Sequence, residues 1–230
     1  MELVGYWKFN EGTGTIAYDA SGGGQSGTLS GTAGTPTWDK QGKAGLCLDF
    51  DDTDNQYVLV SEAAGGITNP LTTVSVCAWS KFNDETNSKT IVHRTDAYRL
   101  RINSTEAPGF QVFTTGWAGV NGANSSVLIN TWHFLVGTYD GTTLQIFLDG
   151  VLVNSGAHSN PGNMNQTGAN LNLGQWGVDT DPFAGKLDEI RIYDKVLTSS
   201  EISILYNNGK IGWGVPSWGN LPWGSFRWSK

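Results

Sequence analysis

Charge is scarce in this chain. Only 15% of its 230 residues are Asp, Glu, Lys or Arg, and 21 acidic residues against 14 basic ones leave a net charge of −7. No Lys/Arg cluster occurs, so a polyanion such as DNA would be repelled, and nucleic acid is excluded as an expected partner. Also missing is any apolar run of 18 residues, which excludes membrane insertion by a helix. Met1 leads straight into an apolar alternating segment without a charged-then-apolar leader, so no secretion signal is read. Two cysteines, Cys47 and Cys77, are too few for a disulfide framework, and free core thiols are the expectation. His93, His133 and His158 show no zinc-binding spacing: His93 is read at a strand end, His133 in a core strand and His158 in a polar loop.

What the chain has in abundance is glycine, at 31 residues, and tryptophan, at ten. Glycine supplies the backbone angles of tight turns, and short alternating runs recur between them. These are VGYWKF (4–9), LCLDF (46–50), YVLV (57–60), VSVCAWSKF (74–82), YRLRIN (98–103), FQVFTT (110–115), WHFLVGTYD (132–140), LQIFLDGVLV (144–153), LNLGQW (171–176) and a last strand before residue 194. Asp140-Gly141 and Asp149-Gly150 bracket LQIFL and favour hairpin turns, which makes this region a meander. No helical period separates the strands. About ten strands and one helix therefore describe an all-β fold, a two-sheet antiparallel sandwich. Trp7, Trp79 and Trp132 fall on strand positions with core character.

The segment FAGKLDEIRIYDKVLTSSEISILY (183–206) can be read residue by residue. Alternation puts Asp188 on the face of Ile190 and Ile192, with Glu189, Arg191 and Tyr193 opposite. An unpaired carboxylate on an apolar face costs several kcal/mol or more, so Asp188 needs a cation, backbone N–H groups or the sheet's end; a cation is the leading expectation. Thr198 and Glu201 form a capping box, Leu197 staples onto Ile202, and Ile202, Leu205 and Tyr206 make the buried stripe of a two-turn helix that Gly209 should end as a left-handed cap.

From Ile211 the character changes. Trp213, Trp218, Trp223 and Trp228 stand five apart, the first three each followed by glycine. Pro216, Pro222 and the glycines exclude a regular helix. Four large aromatics on a tail need a host surface, which Arg227 could help select among acidic ones. The reading is a body at 1–210 and a docking tail at 211–230.

Taken in order, YWKFNEGTGTIAYDASGGGQSGTL, GKAGLCLDF, VSVCAWSKF, TWHFLVGTYDG, LQIFLDGVLV and FAGKLDEIRIYDKVLTSSEI resemble the laminin-G-like jelly-roll domains of the concanavalin-A-like lectin/glucanase superfamily, from about Leu3 to Asn208. The resemblance implies a non-catalytic glycan- or protein-binding domain. It also implies a structural calcium ion held by the motifs that look like DASGGGQSG and LDE here, with Asp19 and Asp188 as carboxylate ligands and the Gly24 carbonyl as a loop ligand. Without metal, Asp19 would make an Asx-turn to its own loop and Asp188 would accept backbone N–H groups.

The superfamily also includes endoglucanases with two glutamates flanking an aspartate along one strand. That arrangement is absent, and the chain is read as not an enzyme. For a glycan, Trp117 and Trp176 are the stacking candidates in Gly-rich segments, with Asp179 and Asp181 near the second. The leading functional expectation is a surface-displayed virion component, a phage decoration or tail-fibre accessory protein docked through its tail to a host particle protein or to other copies of itself. Its place would be the virion surface, or outside the cell after release, and otherwise the cytoplasm. The alternatives are a free-standing carbohydrate-binding module and an intracellular self-assembling protein.

Overall fold

The structure, a computed structural model, describes residues 3–63, 66–83, 87–167, 170–177 and 181–210. The tail tryptophans Trp213, Trp218, Trp223 and Trp228, with Arg227, lie outside the described residues, as does Asp179.

Among the described residues sixteen strands and one helix follow each other. They are β1 (Leu3–Trp7), β2 (Ile16–Ala17), β3 (Gly27–Ser30), β4 (Thr37–Asp39), β5 (Cys47–Phe50), β6 (Tyr57–Val60), β7 (Val74–Phe82), β8 (Lys89–Arg94), β9 (Tyr98–Ile102), β10 (Pro108–Phe113), β11 (Trp117–Asn121), β12 (His133–Tyr139), β13 (Thr143–Leu148), β14 (Val151–Ala157), β15 (Leu171–Leu173), β16 (Gly185–Tyr193) and α1 (Ser199–Lys210). The strands beyond the expected ten are mostly short, and the Asp149-Gly150 turn splits the run 144–153 in two. Asp149 and Gly150 both take positive φ, at 52° and 82°, as a two-residue hairpin loop of matching twist requires.

All pairings are antiparallel. One sheet runs β14-β13-β12-β7-β16-β5-β4 with β1 alongside β16, and the other runs β11-β10-β9-β8-β15-β6-β3-β2. Between them lies the main core, to which Trp7, Val76, Leu187, Ile190 and Ile192 contribute from the first sheet and Val58, Val92, Tyr98, Leu100, Phe110 and Leu171 from the second. This is the jelly-roll-like sandwich that the strand pattern predicts.

The outer face of the first sheet carries a second apolar cluster of Cys77, Trp79, Phe134, Val136 and Phe147, closed by Leu197 and Ile202 with Leu205 and Tyr206. Helix α1 is therefore a cover. Its capping box forms as read: the Thr198 N–H donates to Glu201 Oε2 at 2.8 Å and the Glu201 N–H donates to Thr198 Oγ1 at 3.2 Å. The helix does not stop at Gly209, which lies inside it without a positive φ. Gly209 instead permits contact, since a Cβ there would stand 2.3 Å from Trp79 Nε1.

One β-bulge corrects the reading of β16. Register shifts between Asp188 and Arg191, where Glu189 takes φ 53°. The extra residue puts Leu187 on the core face with Ile190 and Ile192, while Asp188 pairs across to Trp79 on the outer face. Glu189 is held at the bulge by the Tyr6 hydroxyl, which donates to its carboxylate at 2.6 Å, and by an ion pair with Arg191.

Both cysteines are buried thiols, pushed up to about 12 by burial. Trp7 and Trp79 are buried as expected, and Trp132 packs half-buried against the second cluster. Among the described residues no helix is long and apolar enough to cross a membrane.

Candidate functional site

Asp19 and Asp188 lie on either side of β1, whose Trp7 pairs with Ile190 of β16 on one edge and with Asp19 on the other. Asp19 Oδ1 accepts the N–H groups of Tyr6 at 3.0 Å and Ser21 at 2.8 Å, while Oδ2 accepts the Ser21 hydroxyl at 2.8 Å and the Gln25 N–H at 3.0 Å. Although burial opposes it, these donors hold the Asp19 carboxyl below the usual range. Asp188 Oδ2 accepts the Ala44 N–H at 2.8 Å. Burial pushes Asp188 up to about 7, with the Ala44 N–H pulling the other way.

A calcium cage needs oxygens converging within 2.3–2.6 Å of one point. As arranged here the two carboxylates do not form one: Asp19 spends both oxygens on donors of β1 and its own loop, and Asp188 turns Oδ2 to the Ala44 N–H, leaving its Oδ1 buried without a partner among the described residues. Gly24 takes φ 75° as part of the loop that Asp19 ties together. Among the described residues no group of three or more His, Cys, Asp or Glu comes together.

Two of the three histidines make structural hydrogen bonds. His133 Nε2 accepts the Leu128 N–H at 3.0 Å, so its Nδ1 carries the proton shared with Asp149 Oδ2 at 2.8 Å. His158 lies in a loop, as read, and is buried there: the Asn160 N–H donates to its Nδ1 at 3.0 Å, so its Nε2, 3.0 Å from the Val112 carbonyl, carries the proton. His93 belongs to a different surface.

That surface is the outer face of the second sheet. Strands β8, β9, β10 and β15 each send one set of side chains into the core and the other outward, so the register Asn172–His93–Arg99–Gln111 forms one polar row across four strands. A second row sets Thr90, Arg101, Gly109 and Asn121 side by side. Over the first row lies the segment after β15, bearing Trp176. The Arg99 guanidinium lies 4.1 Å from the Trp176 ring centre, and the His93 ring stands nearly perpendicular to the indole with the ring centres 6.2 Å apart.

Arg99 is fixed from three sides. Its Nη1 donates to Asp181 Oδ2 at 2.9 Å and its Nε to Gln111 Oε1 at 3.1 Å, with Trp176 stacked above. Burial, and then the charges of Arg99 and Arg94, push His93 down to about 3, so it is neutral at ordinary pH. Trp176 remains 37% exposed although its ring is braced by a cation and an imidazole. A partly exposed indole is the kind of group that stacks on the apolar face of a sugar ring, and amides such as those of Gln111 and Asn172 are the kind that read hydroxyls.

Of the sequence-expected glycan residues, the structure brings Trp176 and Asp181 together through Arg99. Trp117 stands on the same outer face but on the edge strand β11, past Gln111 and Gly119, where it packs edge-on against Phe113 at 5.4 Å. Arg99, Arg101, Gln111, His93 and Asn172 were not expected. Their signal is present in YRLRI, where Arg99 and Arg101 alternate with core residues, but one strand alone does not distinguish a binding face from a solvated one.

A family model described as the concanavalin A-like lectin/glucanases superfamily, of the laminin G type, matches residues 51–203. No curated protein matches the sequence. Domain 4 of AbnA, a GH43 extracellular arabinanase from Geobacillus stearothermophilus solved in complex with arabinotriose, shares 21% identity with a TM-score of 0.68, covering 89% of this chain and 98% of that domain. The binding domain of Paraclostridial mosquitocidal protein 1 is similar at 13% identity and TM-score 0.69, covering 90% of this chain and 52% of that one. A botulinum neurotoxin type C structure, from work tying cell entry to two ganglioside molecules, is similar at 16% identity and TM-score 0.66, covering 90% and 51%. The chain thus spans about half the length of those toxin domains and nearly all of the arabinanase domain. With the family model covering more than half of its length, the chain belongs to the concanavalin A-like lectin/glucanases superfamily.

Proposed function

We propose that this chain is a non-catalytic carbohydrate-binding domain whose ligand lies on the outer face of the second sheet. The observation that carries the reading is Trp176, half-open to solvent and braced from beneath by Arg99 and His93. Similarity to an arabinanase domain that holds arabinotriose supports it, since that whole domain is spanned. Retaining hydrolysis needs two carboxyl groups about 5 Å apart. Among the described residues of this face the only carboxylate in the two rows and their cover is Asp181, and it is committed to Arg99.

Binding of the wild-type chain and of Trp176→Ala and Trp117→Ala to an array of plant, bacterial and animal oligosaccharides tests the reading. Trp176→Ala should weaken binding at least about tenfold, as loss of a central aromatic anchor does, with the melting temperature held. Trp117→Ala should change it little. No glycan bound at millimolar concentration would remove the reading.

The Trp rhythm of residues 211–230 supports a second element: attachment of this body to a larger particle, such as a virion surface, or to other copies of itself. Its test is the mass in solution of the full chain and of the chain ending at Lys210. A tail that mediates self-assembly makes the first larger than a monomer and the second monomeric; two monomers would end self-assembly, restrict the tail to a foreign particle and leave glycan binding untouched.

A further inference from the structure

We infer that the ligand carries a carboxylate, as a uronic acid residue within an otherwise neutral saccharide, and that Arg101 receives it; this rests on the carbohydrate-binding reading above. Arg99 and Arg101 sit two residues apart on β9, yet only one is committed. Arg99 has Asp181, Gln111 and Trp176 as partners. Arg101 makes no hydrogen bond or ion pair among the described residues, and its Nε is buried without a partner.

A half-buried guanidinium without an acceptor is costly to keep, because desolvation is not offset by hydrogen bonds. Burial lowers the Arg101 pKa, with Asp181 only partly opposing it. An absent side chain lets two polar groups close in beside it. Gly109 stands opposite Arg101 on β10, and a Cβ there would lie 2.5 Å from Asn121 Oδ1 and 3.3 Å from Arg101 Nε. The Asn121 amide and the Arg101 guanidinium thus meet above a glycine, next to the row that carries Gln111 and Trp176.

A planar guanidinium takes a carboxylate through two parallel N–H bonds, and an adjacent amide suits a neighbouring hydroxyl. One uncommitted cation matches one anionic group. A densely sulfated or phosphorylated chain would be repelled by a molecule of net charge −7.

Matched pairs of oligosaccharides test this with the full chain: neutral trimers of galactose, glucose and mannose, each paired with the trimer in which one residue is replaced by its uronate, plus a sulfated galactose trimer, each titrated by calorimetry. At least one uronate should bind about tenfold tighter than its neutral partner, the gain of one charge-assisted pair, and more tightly than the sulfated trimer. Arg101→Gln should erase that preference while keeping neutral binding, and Trp176→Ala should weaken both members alike. Salt should weaken the uronate and spare the neutral sugar, a wild-type measurement that stands even if Arg101→Gln folds poorly. Neutral trimers that bind as tightly as every acidic partner, or a sulfated trimer that binds tightest, would overturn the assignment and leave the glycan reading standing. No binding of any trimer or of any array glycan would overturn both.

Discussion

Asp188 Oδ2 accepts the backbone N–H of Ala44 at 2.8 Å, tying β16 to the loop before β5 across 144 positions of sequence. The carboxylate faces outward beside Trp79, yet it is fully buried. Asp188→Ala leaves that N–H without an acceptor and should cost roughly 1–3 kcal/mol in urea unfolding. Asp188→Asn keeps an acceptor and removes a buried charge, so it should cost less than Ala or stabilise. Chelation with EDTA should leave the melting temperature within about 1 °C, since only a ligand held by the native state shifts it. Asn as damaging as Ala, together with a drop of several degrees on chelation, would mean that the carboxylate serves a cation.

Gly209 packs on the indole of Trp79, with a would-be Cβ at 2.3 Å from its Nε1. Alanine normally gains about 1 kcal/mol over glycine inside a helix, but overpacking a close contact costs roughly 1–3 kcal/mol. Gly209→Ala should therefore lower the melting temperature by a few degrees and loosen α1 from the outer face, seen as faster amide exchange at Leu205 and Tyr206. A raised melting temperature would show that the contact yields freely.

His93 titrates far below its ordinary value when folded, so the unfolded chain binds its proton first. The stability it contributes is complete above about pH 6.5 and is lost as pH falls towards about 3. Arg99 and Arg94 are the charges that press on it, with neutral Asn172 across the ladder and Trp176 above. Between pH 7 and pH 4.5 the wild type should lose on the order of 2 kcal/mol more than His93→Gln, about 5 °C in melting temperature. Parallel decline of the two proteins would refute a neutral, buried His93.

Glycan affinity should be flat from pH 5 to pH 8 for the same reason. The positive charge of the face belongs to arginines, and His93 does not ionise in that range. Calorimetry across the range checks it, and an inflection near pH 6.5 would mean that the imidazole enters the site charged.

The sandwich was legible in the sequence because alternation, Asp-Gly turns and the Thr198–Glu201 capping box are local signals that agree with one another. Asp188 was misplaced for an equally physical reason: one left-handed residue, Glu189, inverts every face N-terminal to it in β16, and nothing local marks it. Gly209 was read as a terminator because a helical glycine kept for close packing looks the same in sequence as one kept for its backbone. The polar face stayed hidden because Arg99, Gln111, Asn172 and Trp176 come from separate strands and loops, and only their register makes them neighbours.

The most direct measurement is a two-dimensional amide and indole NMR titration of the isotopically labelled chain with its tightest-binding array oligosaccharide. The account predicts shift changes at Arg99, Arg101, Gln111, Asn121, Asn172 and the Trp176 indole, with the residues of α1 unmoved. Changes centred on α1, or on the loop that Asp19 ties together, with the second sheet silent, would contradict it.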